Sequence, residues 1–246
     1  MSPDAYLEMA DTEAAHWWFC GRRAILGRLI EGLKLPADAR ILEIGCGTGG
    51  NLRMLGGFGA VSAMELDATA RAIATQKHAG RYEIHAGSCP ADIPFAGRKF
   101  DLVCMFDVLE HIEEDTATLA AVKELLAPGG RFIVTVPAYR WLWGAHDVFL
   151  HHKRRYRSSE LASKAREAGL APVRISYFNT LLFPLAALVR LKDKLTGNPL
   201  ASGTGIPAAP VNALFKWLFS SERHLLERAN LPFGVSLVGI FVAGKD

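Results

Sequence analysis

The chain has 246 residues, a formal charge of +3 and 50% hydrophobic residues, which suits one large domain, or a core with appendages, around a sizeable buried interior. That charge is too small for the dense basic footprint of a nucleic-acid track, and no apolar run reaches the about 18 residues that a bilayer span needs. The four cysteines form no C-x-x-C pair and the polar start Met1-Ser2-Pro3-Asp4 is unlike a leader peptide, so free thiols in a reducing cytoplasm are expected.

Taken in chain order, residues 1–35 read as a helical lead-in carrying Glu13-Ala14-Ala15-His16-Trp17-Trp18-Phe19 and then Arg22-Arg23. The apolar, β-prone Ile41 to Ile44 follow, with Glu43 among them, and run into the glycine cluster Gly45-Cys46-Gly47-Thr48-Gly49-Gly50. This is the pattern of a buried strand ending in a tight turn where backbone approaches a ligand, backed by a helix over 51–55 whose first N–H groups face it. Gly45, Gly47 and Gly50 also satisfy the dinucleotide pattern G-x-G-x-x-G, so the turn alone does not choose between ligands. A second strand over 60–67 ends at Glu65, about 20 residues beyond the first glycine, where an acid holds a ribose diol. A helix over 68–77, a strand over 82–86, a strand entering Phe106-Asp107 and a strand after Pro128-Gly129-Gly130 complete an alternation that continues to residue 178. Alternating strands and helices predict a parallel sheet with right-handed crossovers.

The set E-I-G-C-G-T-G, F-D-L-V with D-V-L-E-H-I, and L-A-P-G-G-R-F spans residues 40–136 in order, and it resembles the class I S-adenosylmethionine-dependent methyltransferases. The resemblance implies an α/β, Rossmann-like seven-stranded sheet, mostly parallel, with helices on both faces and the last strand inserted antiparallel. That strand fits 235–243 and its partner 171–177. It implies S-adenosyl-L-methionine as cofactor. Glu43 with Gly45, Cys46, Gly47 and Gly49 would face the methionine portion, Glu65 the ribose and Leu66 the adenine, with Ser88 and Cys89 near the adenine edge. Phe106 and Asp107 would stand where donor and acceptor meet. Many relatives carry an acid where this chain has Ser88, so backbone groups are expected to serve there. Plainer readings stand beside these: Glu43 as a structural acid under the turn, and Asp107 as a helix cap.

For the acceptor, His111, His146 and His152 are the candidate bases, since imidazole titrates near neutrality. Arg154, Arg155 and Tyr156 would form a receptor for an anionic group, because guanidinium forks bind oxyanions bidentately; the plain alternative is a solvated basic helix start. Trp17 and Trp18 read as packing or as an aromatic wall for the acceptor. No His/Asp/Glu spacing suggests a metal.

The expected organisation is a lead-in at 1–35, a cofactor-binding core at 36–178, an apolar helical cap at 179–232 and a final core strand at 233–246. The cap has two readings, a packed cover over the site or an interfacial element meeting a bilayer or lipid-like substrate. The sequence therefore predicts a cytoplasmic monomer or homodimer, peripheral at the inner membrane face if the second reading holds. It would methylate oxygen, or less readily nitrogen, of a small or lipid-linked acceptor bearing an anionic group. The rivals are an S-adenosylmethionine-binding scaffold without turnover, an NAD-dependent oxidoreductase, and a nucleic-acid methyltransferase, against which the modest charge weighs.

Overall fold

The computed structural model describes residues 3–95, 97–196 and 205–244. Residues 197–204, within the cap expected at 179–232, and the first two residues of the polar start lie outside the described residues. Two helices, α1 (Pro3–Thr12) and α2 (Trp17–Gly32), precede the first strand. Then follow β1 (Arg40–Ile44), α3 (Leu52–Leu55), β2 (Ala60–Glu65), α4 (Ala68–Lys77), β3 (Glu83–Ala86) and β4 (Phe100–Phe106). The second half runs α5 (Asp115–Leu125), β5 (Leu126–Pro137), α6 (Ala145–Phe149), α7 (Ser158–Glu167), β6 (Leu170–Phe178), α8 (Phe183–Thr196), α9 (Ala209–Arg228) and β7 (Ser236–Ala243).

The strands form one seven-stranded sheet in the order β3-β2-β1-β4-β5-β7-β6. All pairings are parallel except those of β7, which is antiparallel to both β5 and β6, as the resemblance implied. Central β4 reads Phe-Asp-Leu-Val-Cys-Met-Phe, a nearly continuous apolar run suited to a strand covered on both faces. Its period-two alternation sorts the core. Val103 and Met105 face one cluster, completed by Leu119 and Val122 of α5 and by Leu161 and Ala165 of α7. Leu102, Cys104 and Phe106 face the other, completed by Ile25, Leu26, Leu29 and Ile30 of α2 and by Phe219 and Leu226 of α9.

This second cluster corrects the expectation for residues 179–232. Helix α9 is not a cover. It lies beside α2 and seals one sheet face, with Phe219 stacked on Phe178 of β6 at 6.0 Å between ring centroids. Trp17 packs edge-on against both Phe215 and Phe219. The two helices approach so closely at Gly21 that a Cβ there would stand 2.3 Å from the Phe219 ring. Asn212 ties the junction of α1 and α2 to α9, accepting from the Trp17 N–H at 2.8 Å and donating to the Ala15 carbonyl at 3.0 Å.

Helix α8 differs: none of its residues is buried. It rides over the segment that follows β5, where Phe183 contacts the rings of Tyr139 and Trp141, and Lys194 Nζ donates to the Trp141 carbonyl. No helix of the described residues is long and apolar enough to cross a membrane.

Candidate functional site

The C-terminal ends of β1, β2 and β4 converge on the glycine turn. Gly45 has φ +71° and sits against Val108, where a Cβ would come within 2.6 Å of that side chain. Only glycine meets both demands, and the turn thereby packs directly on the loop that follows β4. Glu65 ends β2 buried, and its two carboxylate oxygens accept from the Gly47 N–H at 2.8 Å and the Asp67 N–H at 2.9 Å. Asp67 in turn caps α4, accepting from the N–H groups of Thr69 and Ala70. Leu66, between them, is exposed, with Ser88 on the neighbouring turn paired by backbone hydrogen bonds to Asp92. The half-buried Cys89 thiol beside it is pushed up to about 12 by burial.

Glu43 is buried beneath the turn. One of its oxygens accepts from Asn51 Nδ2 at 2.8 Å, while the other has no hydrogen-bond partner. Burial pushes its carboxyl up to about 8, against the smaller opposing effects of Asn51 and Arg22. An acid held this way gains most from a cationic ligand group, since an opposite charge nearby restores the ionised form. The residues therefore fit a donor with a cationic amino-acid portion and a ribose diol.

Helix α1 lies over the same turn. Glu13, buried, accepts from the Thr48 hydroxyl at 2.9 Å and pairs with Lys77 of α4. The Tyr6 hydroxyl is raised well above its ordinary range, first by burial and then by the neighbouring charges of Glu65, Asp67 and Cys46. Sequence reasoning did not identify Tyr6, Glu13 or Arg22 as residues of this corner.

Asp107 has φ +56° and follows the buried Phe106. Its side chain makes an ion pair with Arg22 of α2, whose guanidinium also lies over the Trp18 ring at 4.5 Å. The 3-10 turn Leu109–His111 has Val108 as its cap residue and no side-chain cap bond. The capping role weighed for Asp107 is thus replaced by a cross-link to the lead-in helix. Trp17 packs against α9, and Trp18 lies under the Arg22 guanidinium.

Beyond β4 the structure gathers residues that are far apart in sequence. Glu110, fully buried, has no hydrogen-bond partner on either oxygen. Burial and then the Asp107 charge raise its carboxyl well above the usual range. The rings of His111 and His152 stand 4.8 Å apart, edge to face, and His146 lies one ring farther, 6.3 Å from His152. Asp147 accepts from His152 Nδ1 at 2.9 Å, leaving His152 Nε2 turned toward Glu110 Oε1 at 3.9 Å. His111 is held down to about 4, first by burial and then by His152, so it is neutral at physiological pH.

The anion receptor expected from Arg154, Arg155 and Tyr156 is not what the structure builds. Arg155 is buried and donates to Asp147 at 2.7 Å and to the Ala138 carbonyl at 3.0 Å. Tyr156 is buried and donates to Asp115 Oδ2 at 2.9 Å, and Arg154 pairs with the same oxygen at 2.8 Å. Their donors are committed to internal acids. A half-buried cation that sequence reading passed over, Arg190 of α8, lies over Gly144 on this side of the molecule. Burial, and then Arg155, lowers its affinity for its proton, against the smaller opposing effects of Asp147 and Asp193.

Comparison with known proteins places these features. The family described as "Methyltransferase domain" matches residues 15–175, well over half the chain. A ubiquinone biosynthesis O-methyltransferase of Cereibacter sphaeroides (strain ATCC 17025 / ATH 2.4.3) is 30% identical over 155 residues, 54% of this chain and 61% of its own length. A protein of the same name from Brucella ovis is 32% identical over 203 residues, covering 71% of this chain and 67% of itself. The chain thus spans less than two thirds of the first relative. A solved S-adenosylmethionine-dependent methyltransferase from Clostridium acetobutylicum ATCC 824 shares the fold, with a TM-score of 0.59, 13% identity and 91% of each chain covered.

Proposed function

Because the chain belongs to the S-adenosylmethionine-dependent methyltransferase family, we propose that it methylates oxygen of a small or lipid-linked acceptor that bears an anionic group. The juxtaposition that carries the reading is the Asp147–His152 pair beside the end of β4, next to a glycine turn underlain by the unsatisfied Glu43. When bound, S-adenosylmethionine supplies an activated methyl group, and the protein's task is alignment. Glu43 and Glu65 would hold its cationic and ribose ends. An oxygen acceptor must also lose a proton, and a histidine oriented by a buried carboxylate is suited to take it. His152 has that partner, and burial weakens His111 as a base. Arg190 takes over the anion contact first expected of Arg154 and Arg155. The O-methyltransferase names of the relatives support oxygen over nitrogen.

Helix α8 supports the lipid-linked side of the reading. Leu185, Leu188, Leu191 and Leu195 are exposed along it, Leu188 and Leu195 by 66% and 79%, with Lys192 and Lys194 beside them. An apolar stripe bordered by lysines suits a helix lying in an anionic bilayer surface. The rival of a cofactor-binding scaffold without turnover draws on one observation, the closure of α1 over the glycine turn.

The test is transfer of labelled methyl from S-adenosylmethionine to phenolic and hydroxylated acceptors, each with and without an anionic group, free or in anionic vesicles. Transfer that needs the anionic group, and is lost by about 100-fold or more in His152→Ala, is the expected result. Micromolar donor binding with no transfer to any acceptor would favour the scaffold.

A further inference from the structure

Glu110, His111 and His152 do more than sit near the reacting corner. One potential ligand atom from each lies within 4.8 Å of the others. Two ligands on one zinc ion at tetrahedral angles stand about 3.4 Å apart, so a modest side-chain rotation closes the set. The two histidines come from different parts of the chain, His111 from the 3-10 turn after β4 and His152 from the segment before α7. His152 has a partner that fixes its ring: its Nδ1 is hydrogen-bonded to Asp147. A carboxylate or carbonyl on one ring nitrogen, with the other nitrogen left for an ion, is the supporting arrangement of metal-bound histidine.

The second, independent sign is Glu110. Its side chain is fully buried, aimed at His152 Nε2 across 3.9 Å, and unpartnered on both oxygens. A buried carboxyl without a hydrogen bond is costly, and such a group calls for a missing partner. The two buried arginines whose charges act on it are already engaged, Arg22 with Asp107 and Arg155 with Asp147 and the Ala138 carbonyl. The site is half-open on the His111 side, which gives an ion a way in.

We propose that Glu110, His111 and His152 form a binding site for a divalent first-row transition ion, zinc above all, with Asp147 holding His152 in place. Two imidazoles and one carboxylate suit zinc, manganese or ferrous iron better than calcium or magnesium, which prefer all-oxygen shells. Three protein ligands leave a coordination position for another oxygen. For the role of that oxygen the inference rests on the methyl-transfer reading: an acceptor hydroxyl bound there would lose its proton to bulk water more readily, the ion and not a free His152 imidazole being the activating group. Occupancy of the site does not depend on that reading.

Calorimetric titration of the chelator-treated full chain with Zn2+ tests it, alongside visible absorption with Co2+ as a spectroscopic probe. One ion per chain is expected, with cobalt bands of a four- or five-coordinate nitrogen/oxygen site. His152→Ala and Glu110→Gln should each abolish the isotherm, and Asp147→Asn should weaken it by about 10-fold to 100-fold. Glu110→Gln keeps the shape of the buried group, so circular dichroism and melting show whether any loss is one of folding. His78→Ala, a histidine on α4's far end bonded to the Gly49 carbonyl, should leave the isotherm unchanged. Absence of stoichiometric binding to the folded chain, or binding that persists unaltered in both His152→Ala and Glu110→Gln, overturns the site. Ion binding without methyl transfer to any acceptor would leave the site standing and remove the reading of its role.

Discussion

The glycine-turn region, residues 41–67, and the segment that follows β5, residues 138–157, treat charge in opposite ways. Around the turn, Glu43 keeps an oxygen without a partner and Glu65 is satisfied only by backbone N–H groups. In the later segment the acids are saturated. Asp147 accepts from His152, Arg155 and the Gly144 N–H, which together hold its carboxyl well below the ordinary range despite its burial. Asp115 likewise serves Tyr156, Arg154 and Lys164. The first arrangement leaves negative potential for a cationic ligand. The second is a fixed scaffold that positions imidazoles. An arginine in a sequence motif is therefore no guide to an anion site until its partners are known.

The comparison can be broken first by stability. Arg155→Ala leaves Asp147 buried without its guanidinium, and breaking such a pair costs about 3–5 kcal/mol, which chemical denaturation would detect. A loss below about 1 kcal/mol, the scale of exposed pairs, would mean the segment is not the rigid scaffold described. Next in size is Glu65→Ala, which should weaken S-adenosylmethionine binding by about tenfold or more in calorimetry, as for a lost charge-assisted hydrogen bond. Unchanged affinity would deny the turn region its ligand role.

A pH titration of stability sharpens the same contrast through His111. Its folded pKa of about 4 lies below the ordinary value of 6.5, so the unfolded chain binds the extra proton first. Stability should fall as pH drops from about 6.5 toward 4 and flatten below that, and His111→Asn should remove this component. The smallest effect is expected for Arg154→Ala. Its group is partly exposed and shares Asp115 with two other donors, so a loss of about 1 kcal/mol or less and no change in donor affinity should follow.

The same contrast explains what was legible in the sequence. The donor half is written locally. A strand, a glycine turn and an acid about 20 residues on occupy one continuous stretch, and their spacing carries the geometry. The seven-stranded sheet and the antiparallel last strand followed from that resemblance. The acceptor half is written across distance. Asp107 meets Arg22 across 85 positions, and Glu110 meets His152 only because β4 and β5 are neighbours in the sheet. No spacing rule links such residues, which is why no metal-ligand set was expected. Helix α9 was misjudged for a related reason. Its apolar content was visible, but whether Phe219 and Leu226 meet the sheet or cover a pocket depends on α2, nearly two hundred residues earlier (Trp17 to Asn212 is a separation of 195).

Strand β7, between β5 and β6, has a bearing on how this protein is made. The two outer strands are synthesised first and cannot pair with each other while the place between them is empty. Through the translation of α8 and α9 their edges stay open, a state prone to pairing with other chains. The sheet closes only when β7 emerges, bringing together partners such as Phe132 and Phe241. Closure of the sheet therefore waits on β7, whichever of its neighbours was made first.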